Sequence, residues 1–292
     1  MTEIMTTQEE NETILKNEGD SQVSSAERKL RNQGRPDGLF RACMDQIRRA
    51  HSIGQALRGA VLVSGLLTDK FCYAELLLQF YVPTKALEER MADVCEGKNK
   101  NDFPMIAKLR NKLHYNFQVG YERDLEYLLG KDEWKDLVHK WTTESAKKYV
   151  EDIHCANDSE LVAGLFILWG PLIVGGGPAL KGRVGKAFGE EATHVFKDVT
   201  GKGKKQRRDD FIEAIDSLFD DLDANRIKKH SFSDIVSCSG KFMNYNNRMM
   251  MSVKKQPWWF SRAKIIIFSL CAPMMLAYGL NSYRRSLSDK AS

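Results

Sequence analysis

Residues 158–178 read DSELVAGLFILWGPLIVGGGP, an apolar run with polar residues only at its start and with three consecutive glycines near its end. Residues 157–160 can cap a helix, and the run lacks the alternation of apolar and polar residues that a half-buried strand shows. It therefore predicts a buried helix over Ser159–Leu172. Glycine weakens a helix interior by roughly 0.5–1 kcal/mol, so Gly175–Gly177 marks either a plain loop or a backbone that a flat ligand approaches closely.

The remainder of the chain follows the same helical pattern. Apolar residues recur at steps of three or four, as in Ile53, Leu57 and Val61, which places them on one face of a helix. No segment shows sustained alternation with β-branched residues, so the sequence predicts an all-α domain of about eight helices. Asp69 is expected to cap one of them. The further predicted helices are Asp69–Val82, Thr84–Cys95, Pro104–Leu129, Glu133–His154, Gly182–Val199, Arg208–Leu222 and Ser231–Val253.

The composition excludes several classes of protein. The chain has 292 residues and a mass of 33.3 kDa, with 42% apolar and 28% charged residues, which excludes fibrous and wholly disordered proteins. The mean hydropathy of −0.42 excludes a polytopic membrane protein, and the net charge of +5 is too small and mixed to indicate nucleic-acid binding. The 6 cysteines lie far apart, which favours free thiols in a reducing compartment over a zinc site or disulfides.

Shifts in composition divide the chain into five segments. Residues 1–36 are polar and without an apolar run, and they predict a disordered arm with no signal peptide. Residues 37–253 form the predicted helical domain. A basic and aromatic linker at 254–264, an uncharged segment at 265–280 and a short basic tail at 281–292 follow it.

The uncharged segment from Ile265 to Leu280 predicts a single-pass transmembrane helix that anchors the C-terminus. As a helix it reaches roughly 24 Å, less than the roughly 30 Å hydrocarbon core, and the flanking Trp258, Trp259 and Phe260 extend it as an aromatic belt. A buried core helix is the alternative, which the terminal position and the flanking bases disfavour. We expect the helical domain to face the cytosol, on the endoplasmic reticulum or, alternatively, on the mitochondrial outer membrane.

Two features are candidates for chemistry. His51 lies near the start of the helical domain, and Gly175–Gly177 follows the apolar run. A histidine on one side and a glycine-bent helix on the other would sandwich a haem, with the imidazole as axial ligand of the iron. A surface or capping histidine and a plain loop are the alternatives. The sequence has no His-Glu-x-x-His, Gly-x-Ser-x-Gly, phosphate-loop or Gly-x-Gly-x-x-Gly motif, which disfavours hydrolase, kinase and dinucleotide-binding functions.

A series of short segments between about residue 39 and residue 251 matches the motifs of one protein family, in the same order along the chain. The segments are Gln46–His51, Leu67–Phe71, Tyr81–Val82, Ala86–Arg90, Arg123–Tyr127 with Trp134, Tyr149–Val150, Ile153–His154, Glu160–Ala163 and Val174–Gly176. On these segments the chain resembles the haem oxygenase family, and its tail anchor matches the animal members. The resemblance implies the haem oxygenase fold, with His51 as ligand of the haem iron and with Arg48, Gly175, Gly176 and Gly177 in contact with haem.

The family has a glycine-rich helix on the side of the haem opposite the histidine, called the distal helix, with the pattern Gly-Asp-Leu-Ser-Gly-Gly. The matching segment here, Gly170–Gly176, departs from this pattern. In the family, the aspartate orients the water network that delivers protons. Here its position falls on Pro171 or Leu172, depending on the alignment, and the family's tyrosine and arginine are replaced at Phe166 and Leu168. A general acid needs a proton donor within hydrogen-bond reach, so no catalytic residue can be carried over to this chain.

The expected contacts to the haem propionates also differ. Family members pair the propionates with Lys and Arg on a later helix, but the matching turn here, Asp209–Asp216, is acidic. Carboxylates that face propionates would repel them. Other bases could replace the missing ones, or could form only a solvated surface. These bases are Arg48, Arg49, Lys204, Lys205, Arg207 and Arg208.

Three functions follow. The first, implied by the resemblance, is a membrane-anchored haem oxygenase that cleaves haem to biliverdin, carbon monoxide and ferrous iron, using dioxygen and electrons from a membrane-bound, NADPH-dependent flavoprotein reductase. The second is a haem carrier or sensor without turnover. The third is a helical membrane adaptor that binds no haem. It would contact a protein through the acidic turn Asp216–Asp223 or through Met243–Met251, unless these methionines fill the core.

Overall fold

The computed structural model describes residues 34–48, 66–97, 100–201, 203–220 and 230–252. These residues form helices and turns without a strand among them, which confirms the all-α prediction. The predicted arm at 1–33, His51 and the predicted membrane anchor at 265–280 lie outside the described residues.

The described residues contain ten α-helical segments, which are numbered in chain order. They are α1 (residues 39–48), α2 (Lys70–Glu96), α3 (Pro104–Lys112), α4 (Phe117–Leu129), α5 (Glu133–Trp141), α6 (Glu144–His154), α7 (Asp158–Ile173), α8 (Gly177–Phe188), α9 (Lys204–Asp216) and α10 (His230–Met251). Short 3₁₀ turns include Leu66–Thr68 before α2, Glu190–Ala192 and His194–Val199 after α8, and Ser217–Phe219 after α9.

α7 is the central helix of the described fold. Every residue from Leu161 to Trp169 is buried, because this helix is apolar on all sides and is surrounded by other helices. α10 lies alongside α7, with the ring of Phe242 beside Gly164. α2, α3 and α9 also pack against α7, which makes it the core of the domain.

α2 continues through Pro83, so the predicted break between Val82 and Thr84 is wrong. A proline in a helix interior removes an N–H group and weakens an isolated helix by roughly 3 kcal/mol. Tyr81 and Leu87, on either side of the proline, are buried against neighbouring helices. This packing outweighs the local penalty.

Two predicted long helices are each divided in the structure: Pro104–Leu129 into α3 and α4, and Glu133–His154 into α5 and α6. Asn116 caps α4 and Thr143 caps α6, each by accepting a hydrogen bond from the main-chain N–H three residues further on. Gln79 of α2 holds the second division in place: its Nε2 donates to the Trp141 carbonyl oxygen (2.6 Å), and its Oε1 accepts from the Thr143 N–H (3.1 Å). Polar caps thus end the helices that the apolar pattern predicted to be continuous.

The caps that the sequence predicted locally are present. Asp69 accepts hydrogen bonds from the N–H groups of Phe71 (2.8 Å) and Cys72 (3.3 Å) at the start of α2. Asn157 and Glu160 bind each other's main-chain N–H groups at the start of α7, both at 3.0 Å. This reciprocal pair is a capping box and fixes where the central helix begins.

Four carboxylates cap the starts of helical segments that are distant in sequence. Each one accepts hydrogen bonds from two main-chain N–H groups, at distances between 2.6 and 3.1 Å. The first N–H groups of a helix have no partner within it, and these bonds satisfy them, except that Arg35 precedes α1. The pairs are Asp216 with Arg35 and Phe40, Asp158 with Met105 and Ile106, Glu88 with Phe117 and Gln118, and Asp124 with His194 and Val195.

Asp216 is therefore not an exposed carboxylate. It would have to be exposed either for Asp209–Asp216 to face haem or for Asp216–Asp223 to contact a protein partner. It is 6% exposed and holds the start of α1 against the end of α9. Asp220, beyond it, forms two hydrogen bonds with the Arg35 guanidinium (2.6 and 2.9 Å). Asp216 is therefore not available to haem propionates or to a protein partner, because the main chain of residues 35–40 occupies this carboxylate.

We expect Asp216→Ala to lower the free energy of unfolding by about 1–3 kcal/mol, because the buried N–H of Phe40 loses its acceptor. Urea unfolding followed by circular dichroism measures this loss. Asp220→Ala is the matched control, and it should lower stability much less because its ion pair with Arg35 is exposed. Equal losses in the two variants would contradict this role of Asp216.

Candidate functional site

The candidate site is the bend between α7 and α8. α7 ends at Ile173, α8 begins at Gly177, and the two axes differ in direction by 56°. The Gly170 carbonyl oxygen accepts hydrogen bonds from the N–H groups of both Val174 (2.8 Å) and Gly175 (3.1 Å), which closes the last turn of α7. The predicted start of the next helix at Gly182 is too late, because Gly177 and Pro178 already form its first turn.

Two of the three glycines are required by the bend itself. A Cβ atom on Gly175 would lie 2.8 Å from the Pro171 carbonyl oxygen, and a Cβ atom on Gly177 would overlap the Leu172 carbonyl oxygen. The chain thus turns back against the last turn of α7 more closely than a side chain allows. The tight bend between the two helices therefore explains why these two positions are glycine, and no ligand is needed to explain them.

Gly176 differs from its neighbours. It is exposed, its φ of −79° suits any residue, and a Cβ atom there would have nothing within 4 Å among the described residues. The fold therefore does not require glycine at this position. The open main chain at Gly176 is the part of the bend that a flat ligand could approach.

α1 packs against the part of α7 that precedes the bend, where the two helices form an apolar wall. The rings of Phe40 and Phe166 meet edge to face, with centroids 5.5 Å apart. Cys43 and Ile47 continue the buried face of α1, while Arg48, its last described residue, is exposed. Leu168 and Phe166, at the positions of the family's arginine and tyrosine, are both buried, so this wall is apolar.

Solved structures of haem oxygenases share this arrangement of helices. Haem oxygenase 2 of Chlamydomonas reinhardtii, solved without haem, is 20% identical with a TM-score of 0.64, and the match covers 76% of this chain and 100% of that one. Haem oxygenase-1 of the cyanobacterium Synechocystis, in complex with haem, is 20% identical with a TM-score of 0.60 and covers 80% of this chain and 99% of that one. The haem oxygenase of Leptospira interrogans is 18% identical with a TM-score of 0.56, covering 73% and 98%.

The chain has the haem oxygenase fold. The resemblance found in the sequence is thereby confirmed at the level of the fold, while no family model and no curated protein matches the chain. Among the described residues, no single helix could span a bilayer. α7 and α8 reach the necessary length and apolar character only together, as a bent pair.

Several bases could pair with haem propionates in place of the family's Lys and Arg, but some of them already bind other groups of the protein. Arg207 donates a hydrogen bond to the Thr200 carbonyl oxygen (3.0 Å), and Arg208 pairs with Asp209 (3.5 Å). Lys204 and Lys205 are exposed at the start of α9. Arg49, like His51, lies outside the described residues, and the pairing of these bases with haem propionates stays a prediction.

Sequence reasoning missed the role of Asp124. This carboxylate is fully buried, binds the main-chain N–H groups of His194 and Val195, and lies 3.1 Å from Nδ1 of the His194 ring. Burial raises the pKa of Asp124, and the hydrogen bonds and the nearby imidazole oppose this shift. Arg123–Tyr127 had signalled the family resemblance, but nothing in the segment itself showed which residues its aspartate would bind.

Glu88 is a second carboxylate whose role was missed. Its two oxygens accept the N–H groups of Phe117 (2.9 Å) and Gln118 (3.1 Å) at the start of α4. Burial raises the pKa of Glu88 to about 7, and the negative charge of Glu122 adds to the shift. This cap therefore takes up a proton near neutral pH, where ordinary glutamates are ionised.

We expect Gly175→Ala and Gly177→Ala to lower the free energy of unfolding by about 1–3 kcal/mol, because the main chain must shift to admit a methyl group. Gly176→Ala and Gly182→Ala should leave stability unchanged or raise it by up to about 1 kcal/mol, since no described residue would contact a methyl group at either position. Urea unfolding of the four variants measures the difference. If Gly176→Ala lowered the free energy of unfolding as much as Gly177→Ala, the conclusion that the bend does not require glycine at position 176 would be wrong.

We expect Glu88 to make stability fall as pH rises from about 4.5 to 7. The folded state binds a proton there that the unfolded state releases, and this difference amounts to on the order of 2–3 kcal/mol across the window. Urea unfolding between pH 4.5 and 8 should show a shallower decline in Glu88→Gln. The exposed neighbour Glu89→Gln serves as the control, and an unchanged pH dependence in Glu88→Gln would refute the assignment.

Proposed function

We propose that this protein binds haem between His51 and the α7–α8 bend and cleaves it oxidatively to biliverdin, carbon monoxide and ferrous iron. The observation that carries the proposal is the open main chain at Gly176, at the bend of a haem oxygenase fold. When bound, haem supplies the dioxygen chemistry, and the electrons would come from an NADPH-dependent flavoprotein reductase. The protein supplies the binding surface and the exclusion of water.

The residues near the bend fit a porphyrin on one face. Among the described residues nothing would contact a methyl group at Gly176, so the glycine leaves a flat strip of main chain exposed there. For the other face the proposal assigns His51 as iron ligand. In the sequence His51 follows the buried Ile47 by four residues, a spacing that shares one face wherever a chain is helical. Arg48 and the bases at the start of α9 would pair with the propionates.

A haem carrier or sensor without turnover is the second candidate function. One observation favours it: residues 166–172 of α7 include no ionisable side chain, and Phe166 and Leu168 are buried and apolar. Such a wall excludes water but cannot donate a proton. The adaptor function is less well supported, because Asp216 is buried and so are Met243, Met249 and Met250 of the Met-rich segment. Met251 alone among the described methionines of that segment is strongly exposed, at 68%.

We also propose that residues 265–280 anchor the protein in a membrane with the helical domain in the cytosol. The support is the uncharged segment with its flanking tryptophans and bases. The endoplasmic reticulum is the favoured membrane and the mitochondrial outer membrane the alternative. The anchor would hold the domain beside a membrane-bound reductase.

Hemin titration of the full-length chain, followed by the Soret band, tests the proposal. We expect a saturable complex that His51→Ala abolishes or weakens at least about tenfold, because the iron loses its protein ligand. Gly176→Ala should weaken binding, since the methyl group enters the space of the porphyrin, whereas Gly182→Ala should bind as the wild type does. No saturable complex, or equal affinity in all four proteins, would refute haem binding at the bend.

A turnover assay separates the enzyme from the carrier. The hemin complex is given NADPH and a flavoprotein reductase, and biliverdin absorbance and carbon monoxide are measured. Product formation supports the oxygenase. A stable complex without product supports the carrier, and in that case Pro171→Asp or Leu172→Asp should bring turnover by restoring a carboxylate to the wall.

A further inference from the structure

Pro171 leaves one main-chain acceptor in α7 without its usual donor. In an α-helix the carbonyl oxygen of Ile167 would accept the N–H of residue 171, but proline has none. Ile167 lies in the part of α7 where every residue is buried. A buried carbonyl oxygen that finds no donor costs free energy, so another group must take the place of this N–H.

Asn246 of α10 supplies the missing donor. Its Nδ2 donates a hydrogen bond to the Ile167 carbonyl oxygen at 3.3 Å, and the residue is only 5% exposed. The orientation of the amide follows from chemistry, because a carbonyl oxygen can only accept and must therefore face the NH₂ group. Pro171 and Asn246 are thus coupled through one carbonyl group, although they lie on different helices.

The other end of this amide is unsatisfied. Asn246 Oδ1 is buried and has no hydrogen-bond partner among the described residues. Its direction is fixed, since the NH₂ group of the same amide is held by Ile167. Buried acceptors are nearly always paired with protein or with an ordered water molecule. Asn247, the next residue, places a second buried amide close by.

We propose that Asn246 has two roles: it replaces the N–H group that Pro171 lacks, and its Oδ1 binds a small hydrogen-bond donor, a water molecule, beside α7. Asn246 is then a positioning residue that holds the last turns of α7 before the bend. Its Oδ1 is a neutral acceptor beside the Ile167 turn of α7. A neutral amide orients a donor but releases no proton, so this site differs in kind from an acid. The inference concerns the chain by itself and does not depend on haem binding.

A double-mutant cycle on the full-length chain tests both roles, with urea unfolding as the measurement. Asn246→Leu should lower the folding equilibrium constant by a factor of roughly 5 to 30, because it strands the Ile167 oxygen and removes the bond made by Oδ1. In a Pro171→Ala background residue 171 regains its N–H. The same substitution should then cost at least about fivefold less, while some loss remains from the bound donor.

Pro83→Ala is the matched control. It restores an N–H inside α2, where the affected carbonyl group is that of Gln79, so Asn246→Leu should cost as much with it as without it. Strict additivity of Asn246→Leu with Pro171→Ala would overturn the replacement of the missing N–H. A gain in stability from Asn246→Leu in the Pro171→Ala background would overturn the bound donor, because removing an empty buried acceptor is favourable.

A second measurement needs no variant at position 246. In ¹⁵N-labelled full-length protein the side-chain NH₂ of Asn246 should exchange slowly with solvent and show a cross-peak to a long-lived water. Pro171→Ala should speed the exchange. Fast exchange in the wild type would overturn the bond to Ile167, and a missing water cross-peak would overturn the bound donor.

Discussion

The described fold depends on carboxylates that satisfy the N–H groups at the starts of helical segments. These groups have no partner within their own helix, and a start that is packed against protein cannot rely on water. Asp158, Glu88 and Asp124 each bind two such groups, and Asp216 binds one, together with the N–H of Arg35 before α1. Each carboxylate thereby joins two elements far apart in the chain. The positive end of the helix dipole favours a carboxylate at this place. Burial opposes the charge, which is why the pKa of Glu88 rises to about 7 and that of Asp158 to about 6.

The same requirement for satisfied main-chain groups shapes the candidate site. Gly175 and Gly177 allow the chain to fold back on the carbonyl groups of α7, and Asn246 serves the carbonyl group that Pro171 leaves without a donor. Of the three glycines, Gly176 has no such role among the residues that the structure describes. The other two are explained by the bend and no longer support haem binding. The functional interpretation therefore depends on Gly176, where the described fold does not require a glycine.

The sequence predicted those features whose partners are close in the chain. The apolar run over Ser159–Leu172, the capping box of Asn157 and the cap at Asp69 depend on residues within a few positions. It could not predict that Glu88 would cap a helix 29 positions away or that Asp216 would bind the N–H of Phe40, 176 positions away. A charge pattern does not tell whether a carboxylate faces a ligand or a helix start, which is why the role of Asp216 could not be predicted. The continuous helix through Pro83 was missed for the same reason, since only tertiary packing outweighs the local penalty.

The central claim is that a porphyrin lies against the main chain at Gly176 with its iron bound by His51. A crystal structure of the full-length chain grown with hemin tests it most directly. We expect the porphyrin plane next to Gly176, with the His51 imidazole on the opposite face as the iron ligand and an ordered water at Asn246 Oδ1. Hemin bound elsewhere, or with another residue as iron ligand, would contradict the account.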